Sequence, residues 1–196
     1  MSTGSAQIQP SDVLDFWFSA RARALWFEKN AEFDAEVRHL FGSAVGQALS
    51  GGFQDWRRHP EGTLALLILL DQMTRNVYRG SPLAFAGDTR ALEVAERAIA
   101  AGFDRAFPFL ERRFFYLPHE HCENSAVQQR CLELFTALLA EVPAEVRAEA
   151  EEQLHFAKRH AEIIAQFGRF PHRNAVLGRA CTPDEESFLA TWDNAF

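Results

Sequence analysis

Apolar residues return at helical spacing along almost the whole chain, and this pattern limits the fold more than any other feature. Val37, Phe41, Val45 and Leu49 recur in steps of four until Gly51 and Gly52 stop them. Val127, Cys131, Leu134, Phe135 and Leu138 form a second stripe, ended by Pro143. Ala150, Leu154, Ala157, Ala161 and Ile164 form a third, closed by Gly168. Asp88 is placed to cap a helix running to Ala101, with Gly102 just past its end. Thr182-Pro183-Asp184-Glu185 has the pattern of a capping box, with a hydroxyl cap, Pro at the first helical position and Glu at the third. It predicts a last helix ending near Trp192. No run of Val, Ile and Thr alternates as a strand would. The expectation is an all-α fold of about seven or eight helices in antiparallel hairpins, packed as one domain over residues 1–196.

A chain of 196 residues with 47% hydrophobic content is long enough for a core, burying roughly 70% of its unfolded surface. The 18 Phe and 4 Trp predict that aromatic rings fill it. The net charge of −7 argues against nucleic acid or an anionic membrane as partner, because both need a broad basic face. The longest apolar run, LALLILL at 64–70, is far below the ~20 residues of a membrane span. Three cysteines, Cys122, Cys131 and Cys181, make no disulfide framework and read as reduced thiols in a cytoplasmic protein. The opening MSTGSAQIQPSD lacks a charged-then-apolar signal pattern. Nearly all the basic residues are Arg, since Lys occurs only at Lys29 and Lys158. Genomic base composition explains this, and so would a use for planar bidentate donors.

Polar residues gather in three stretches. In DQMTRNVYRG (71–80), Asp71, Arg75 and Arg79 share a helix stripe, with Gln72 and Asn76 beside it. They form either an ion pair with C-terminal Arg capping or an Arg pair aimed at a carboxylate or phosphate. In PHEHCENS (118–125), Pro118 disfavours helix at Leu117. His119, His121 and Glu123 would then share one side of an extended segment, a spacing that with one or two further ligands could hold a metal ion. If a helix instead begins at Pro118, they diverge and Glu120 pairs with Glu123 and Asn124. Asn124 or Ser125 can also cap the next helix. In FPHRNAVLGR (170–179), Gly168 and Pro171 break the helix, leaving Arg169, His172, Arg173 and Asn174 on irregular backbone. His155 and His160, about 140° apart around a helix, do not face together and read as ordinary helix residues.

LALLILLDQMTRNVYRG, FYLPHEHCENSAVQQ and FGRFPHRNAVLGR, with VLDFWF, WFEKNAEFD and CTPDEE, resemble a mainly bacterial family, domain of unknown function 924. The resemblance runs from about Val13 to Leu189. It implies a tetratricopeptide-like helical array and no established activity or catalytic residue set. Cys181 stands where Ser would be more usual.

The functional expectation is a pocket where the three stretches meet and bind a small carboxylate or phosphate compound, or an acidic peptide end. Asp71, Arg75, Asn76, Arg79, Arg169, Arg173 and Asn174 would hold the ligand. The rival is a hydrolase or lyase using His119, Glu120, His121, Glu123 and His172 as acid–base groups. The third possibility is a structural ionic network in an interaction module. No HExxH, G-x-S-x-G, Cys–His signature or P-loop is present, and no metal or cofactor is assigned. Oligomeric state is not legible.

Overall fold

The computed structural model describes residues 8–192, so most of the opening MSTGSAQIQPSD segment lies outside the described residues. Those residues are all helix and connection, with no strand among them. They fall into two compact units, one of residues up to Arg79 with Leu83–Phe103, the other of Gly80–Pro82 with the residues from Asp104.

In the first unit, helix α1 (Pro10–Trp17) starts on a reciprocal Gln9–Asp12 capping box and Pro10. Helix α2 (Ala31–Leu49) is capped by Asn30, whose side chain accepts from the Phe33 amide at 2.9 Å. Helix α3 spans 60–77 and changes character midway. An α-helical half (Pro60–Leu67) passes into a π-helical turn (Ile68–Met73) and then a last α turn (Thr74–Val77). LALLILL lies in the first two parts with every residue buried, which explains its apolarity on all sides. Just past the π turn the Thr74 hydroxyl donates back to Leu69 O at 2.8 Å. Gly87 packs so tightly on this turn that a Cβ there would meet Leu70 O at 2.0 Å. Helix α4 (Asp88–Ala100) follows. Gly87, not Asp88, is its N-cap, and the Asp88 carboxylate is used elsewhere.

The second unit is built on a hairpin. Helix α6 (Ser125–Glu141) packs along helix α7 (Arg147–Phe167), separated by the short connection at Pro143. Asn124 caps α6 by accepting from the Ala126 and Val127 amides. Before it stands a short helix, α5 (Leu117–Glu120), with Pro118 in its first turn. The approach to α5 is pinned by Tyr116. Its hydroxyl donates to Asp104 at 2.7 Å and accepts from Arg112 Nε at 2.8 Å. Gly168 leaves α7 in the left-handed conformation (φ 69°). A 3-10 turn (Pro171–Arg173) and the short helix α8 (Asn174–Leu177) then lead to α9 (Pro183–Ala190). The expected capping box forms, with Thr182 Oγ1 accepting from the Glu185 amide and the Glu185 carboxylate accepting from the Thr182 amide. Ile163, Ile164 and Phe170 form a core here with Phe167, Phe188 and Trp192 around it. No helix among the described residues is long and apolar enough to cross a membrane.

Candidate functional site

The first polar stretch, DQMTRNVYRG, is partnered within the first unit. Asn76 Nδ2 donates to Asp34 Oδ1 at 2.8 Å, and the Arg79 guanidinium grips both oxygens of the same carboxylate. Burial alone would raise the Asp34 pKa, but these donors outweigh it and hold the carboxyl below its ordinary value. Arg75 donates to Asp71 O and, at 3.1 Å, to Asp88 Oδ1, and Asp71 Oδ1 lies 3.4 Å away. The Asp71–Arg75 stripe is therefore a real ion pair. Asp34 and Asp88, distant in sequence, are the partners that reading the stretch alone does not find.

In the second unit the other two stretches come together. Glu123 is the joint. One oxygen accepts from the Phe170 amide at 2.8 Å, and Arg179 donates to both oxygens at 2.7 and 3.0 Å. Burial would raise Glu123, but the bonds from Arg179 and Phe170 win and keep it ionised below the usual carboxylate range. Arg179 also donates to Asn174 Oδ1 and Phe170 O. Asn174 is 0% exposed and donates to Cys181 Sγ at 3.4 Å. Arg169 grips Glu185 through Nε (2.6 Å) and Nη2 (2.8 Å), holding that carboxyl down to about 2. A cleft beside it is lined by Gln166, Phe167, Arg169, Thr182, Asp184 and Glu185. Its two carboxylates against one guanidinium make it unsuited to an anion.

His119 and Glu120 lie in α5 and His121 is its C-cap, so these residues are on a helical turn and not an extended segment. The proline sits where its missing N–H costs nothing. The turn sends the side chains in different directions. His119 is 1% exposed, its Nδ1 has no hydrogen-bond partner among the described residues, and burial pushes it down to about 4. Glu120 faces α7 rather than Glu123 and Asn124. It accepts from Gln153 Nε2 at 3.1 Å and lies 3.5 Å from His160 Nδ1.

His160 is the centre of the site. Its Nδ1 meets Phe156 O at 2.9 Å, a contact that requires the proton on Nδ1. The lone pair is thereby fixed on Nε2, and Glu120 lies on the Nδ1 side of the ring. A line of rings passes through it. His121 lies edge-on at 6.3 Å and Phe170 edge-on at 5.4 Å. His172 follows Phe170 at 5.5 Å, and Trp192 stacks on His172 at 5.5 Å with 11° between planes. Arg173, 7% exposed, places its guanidinium carbon 4.5 Å from the Phe170 ring centre. Burial first, then neighbouring charge from His121, Arg173 and His172, pushes His160 down to about 3. Burial and Arg173 push His172 down to about 4. His160 and His172 are thus neutral near pH 7, between the cation of Arg173 and the carboxylates of Glu120 and Glu123. Among the described residues no group of His, Cys, Asp or Glu is placed to share a metal ion.

Sequence reading names His121, His172 and Arg173 but passes over His160, Gln153, Phe170 and Arg179. His155 and His160 indeed diverge, one exposed and the other buried. His160 finds its partners on α5 and in the 170–173 turn, and no spacing within α7 signals that.

A family model described as "bacterial protein of unknown function (DUF924)" matches residues 13–193. The chain belongs to the DUF924 family. It is also similar to the structure of a protein of unknown function from Agrobacterium tumefaciens, at 38% identity and a TM-score of 0.80, over 92% of this chain and 96% of that one. No curated protein matches the sequence.

Proposed function

We propose that the second unit of this DUF924 protein binds a small anionic molecule, a carboxylate or phosphate compound, at the ring line around His160. The observation that carries the proposal is the company His160 keeps. Its tautomer is fixed by Phe156 O, and two further histidines and Arg173 surround it. Arg173 would supply the cation, and His121 and His172 would supply ring N–H donors once an anion raised their proton affinity. Arg75, Arg79 and Arg169 are left out because carboxylates already hold them. The Glu120–His160 pair also favours a second reading, proton transfer to or from the bound molecule in a hydrolase or lyase. Three cysteines outside any disulfide support a cytoplasmic setting.

Thermal unfolding against a panel of small dicarboxylates and phosphate esters tests the proposal, with wild type beside His172→Ala. A compound at ~100 times its dissociation constant adds about 2.7 kcal/mol. The expected result is stabilisation of wild type that is lost in His172→Ala while the unliganded variant melts near wild type. Equal stabilisation of both proteins would refute the site.

A further inference from the structure

The cleft beside Arg169 lies between the end of α7 and the start of α9 and has a volume of about 500 Å³. That is room for a small organic molecule. Part of its lining is already used. Glu185 is buried, and its oxygens accept from Arg169 Nε, Arg169 Nη2 and the Thr182 amide. The charges of that pair cancel. The rest of the lining is open. Gln166, Thr182 and Asp184 are exposed. Among the described residues nothing hydrogen-bonds or ion-pairs with the Asp184 carboxylate or the Gln166 amide. The Thr182 hydroxyl accepts the Glu185 amide and keeps a second lone pair. The start of α9 does not need Asp184, because Thr182 and Glu185 complete its capping box. The remaining wall is Phe167, which is half-buried. Phe188 packs on its ring at 5.1 Å, and Trp192 follows Phe188 at 5.1 Å. Asp184 and Phe188 are four residues apart on α9 and so share one face of it. The cleft therefore joins three acceptor oxygens and one unbalanced negative charge to an aromatic wall.

We propose that this cleft binds the ammonium group of a small primary amine with an aromatic body. An ammonium group carries three N–H donors, which match acceptors on Asp184, Thr182 and Gln166. Asp184 supplies the opposite charge. Phe167 supplies an apolar face for the body of the molecule and a ring quadrupole that favours a cation nearby. A divalent metal ion fits poorly, because it needs several oxygens at once. No group of His, Cys, Asp or Glu among the described residues is placed to share one. The cleft and the ring line take ligands of opposite charge, so this inference does not depend on anion binding near His160.

The test is an NMR titration of the nitrogen-labelled full chain with phenethylamine at neutral pH and low salt. Wild type is compared with Asp184→Asn and with Glu186→Gln. Glu186 is an exposed acid of the same helical turn that does not line the cleft. The expected result is saturable shifts centred on the Gln166, Phe167 and Thr182 amides. Asp184→Asn should weaken binding at least about tenfold, and Glu186→Gln should keep it within about twofold. Asp184 is exposed and the change keeps its shape, so the circular dichroism of the variant should match wild type. Phenethyl alcohol, which lacks the charge, and the trimethylated amine, which lacks the N–H donors, should each bind at least about tenfold more weakly. No saturable shift with wild type overturns the proposal, as do shifts centred away from the cleft. Equal weakening by Glu186→Gln reduces the effect to general charge and also overturns it. Equally tight binding of the alcohol or of the trimethylated amine overturns the assignment to a primary ammonium group.

Discussion

DQMTRNVYRG and FPHRNAVLGR have nearly the same ingredients, two arginines and an asparagine among apolar residues, yet they are used differently. In the first, both guanidiniums meet carboxylates, Arg75 with Asp71 and Asp88 and Arg79 with Asp34, and Asn76 joins the latter pair. In the second, Arg179 and the preceding Arg169 meet Glu123 and Glu185, while Arg173 lies on an aromatic ring among histidines and adds its field to that holding Glu123 ionised. Charge met by charge is a brace, and its removal leaves a partner stranded. Neutral imidazoles beside a cation retain capacity to respond to something new. Residue type does not separate the two roles. The partner supplied by another element does.

The largest effect should come from breaking a brace. Glu123→Ala leaves Arg179 and the Phe170 amide without their acceptor, and a loss of about 3 kcal/mol is expected in urea unfolding. If His172→Ala costs as much, the ring line is a brace too and the contrast fails.

Next in size is the change in acid response when one buried histidine is removed. His119, His160 and His172 have folded values of about 4, 3 and 4 against an ordinary 6.5. The unfolded chain therefore takes up protons that the folded chain refuses. Stability should fall as pH drops from about 6.5 towards 4, and this contribution should flatten below the folded values. Each histidine contributes at most about 1.4 kcal/mol per pH unit. His160→Gln removes one such proton, so its stability should fall less steeply between pH 6 and 5. Identical slopes for the two proteins would mean that His160 is protonated in the fold. Glu123 and Asp34, held below their ordinary values, are stabilising at neutral pH and add their own loss only at lower pH.

The smallest effect sharpens the contrast within the second unit. Thr182→Ala should cost about 1 kcal/mol by removing the cap of α9. It should loosen the Glu185 grip on Arg169 and leave ligand response at the ring line intact. Loss of that response would tie the two parts into one site.

Much of the architecture was legible because local rules dictate it. The stripes of α2, α6 and α7 are set by period, and their ends by Gly51, Pro143 and Gly168. The Thr182 cap needs only four residues. The site was legible in part. His121, His172 and Arg173 stand out as polar groups on short turns, but the surroundings that make them a cluster come from Phe156, Gln153 and His160 on α7. Asp88 shows why the rest was hidden. By sequence it is a good cap, but in the fold Gly87 takes the cap because its bare Cα fits against Leu70 O, and the carboxylate goes to Arg75. Tertiary partners outbid local ones, and one sequence does not list them.

The π-helical turn at Ile68–Met73 has a consequence for how this family can change. Such a turn holds one more residue than the α-helical path it replaces. Deleting one residue there would restore regular winding and leave the residues from Thr74 onward near their present phase, because the wider turn already absorbs the extra residue. Asn76 and Arg79 would still face Asp34, and Arg75 would still face Asp88. Insertions and deletions are usually harmless in loops and ruinous in helices. Here the wider turn is the one place in LALLILLDQMTRN where the rod should tolerate the loss of a residue without moving its two faces apart.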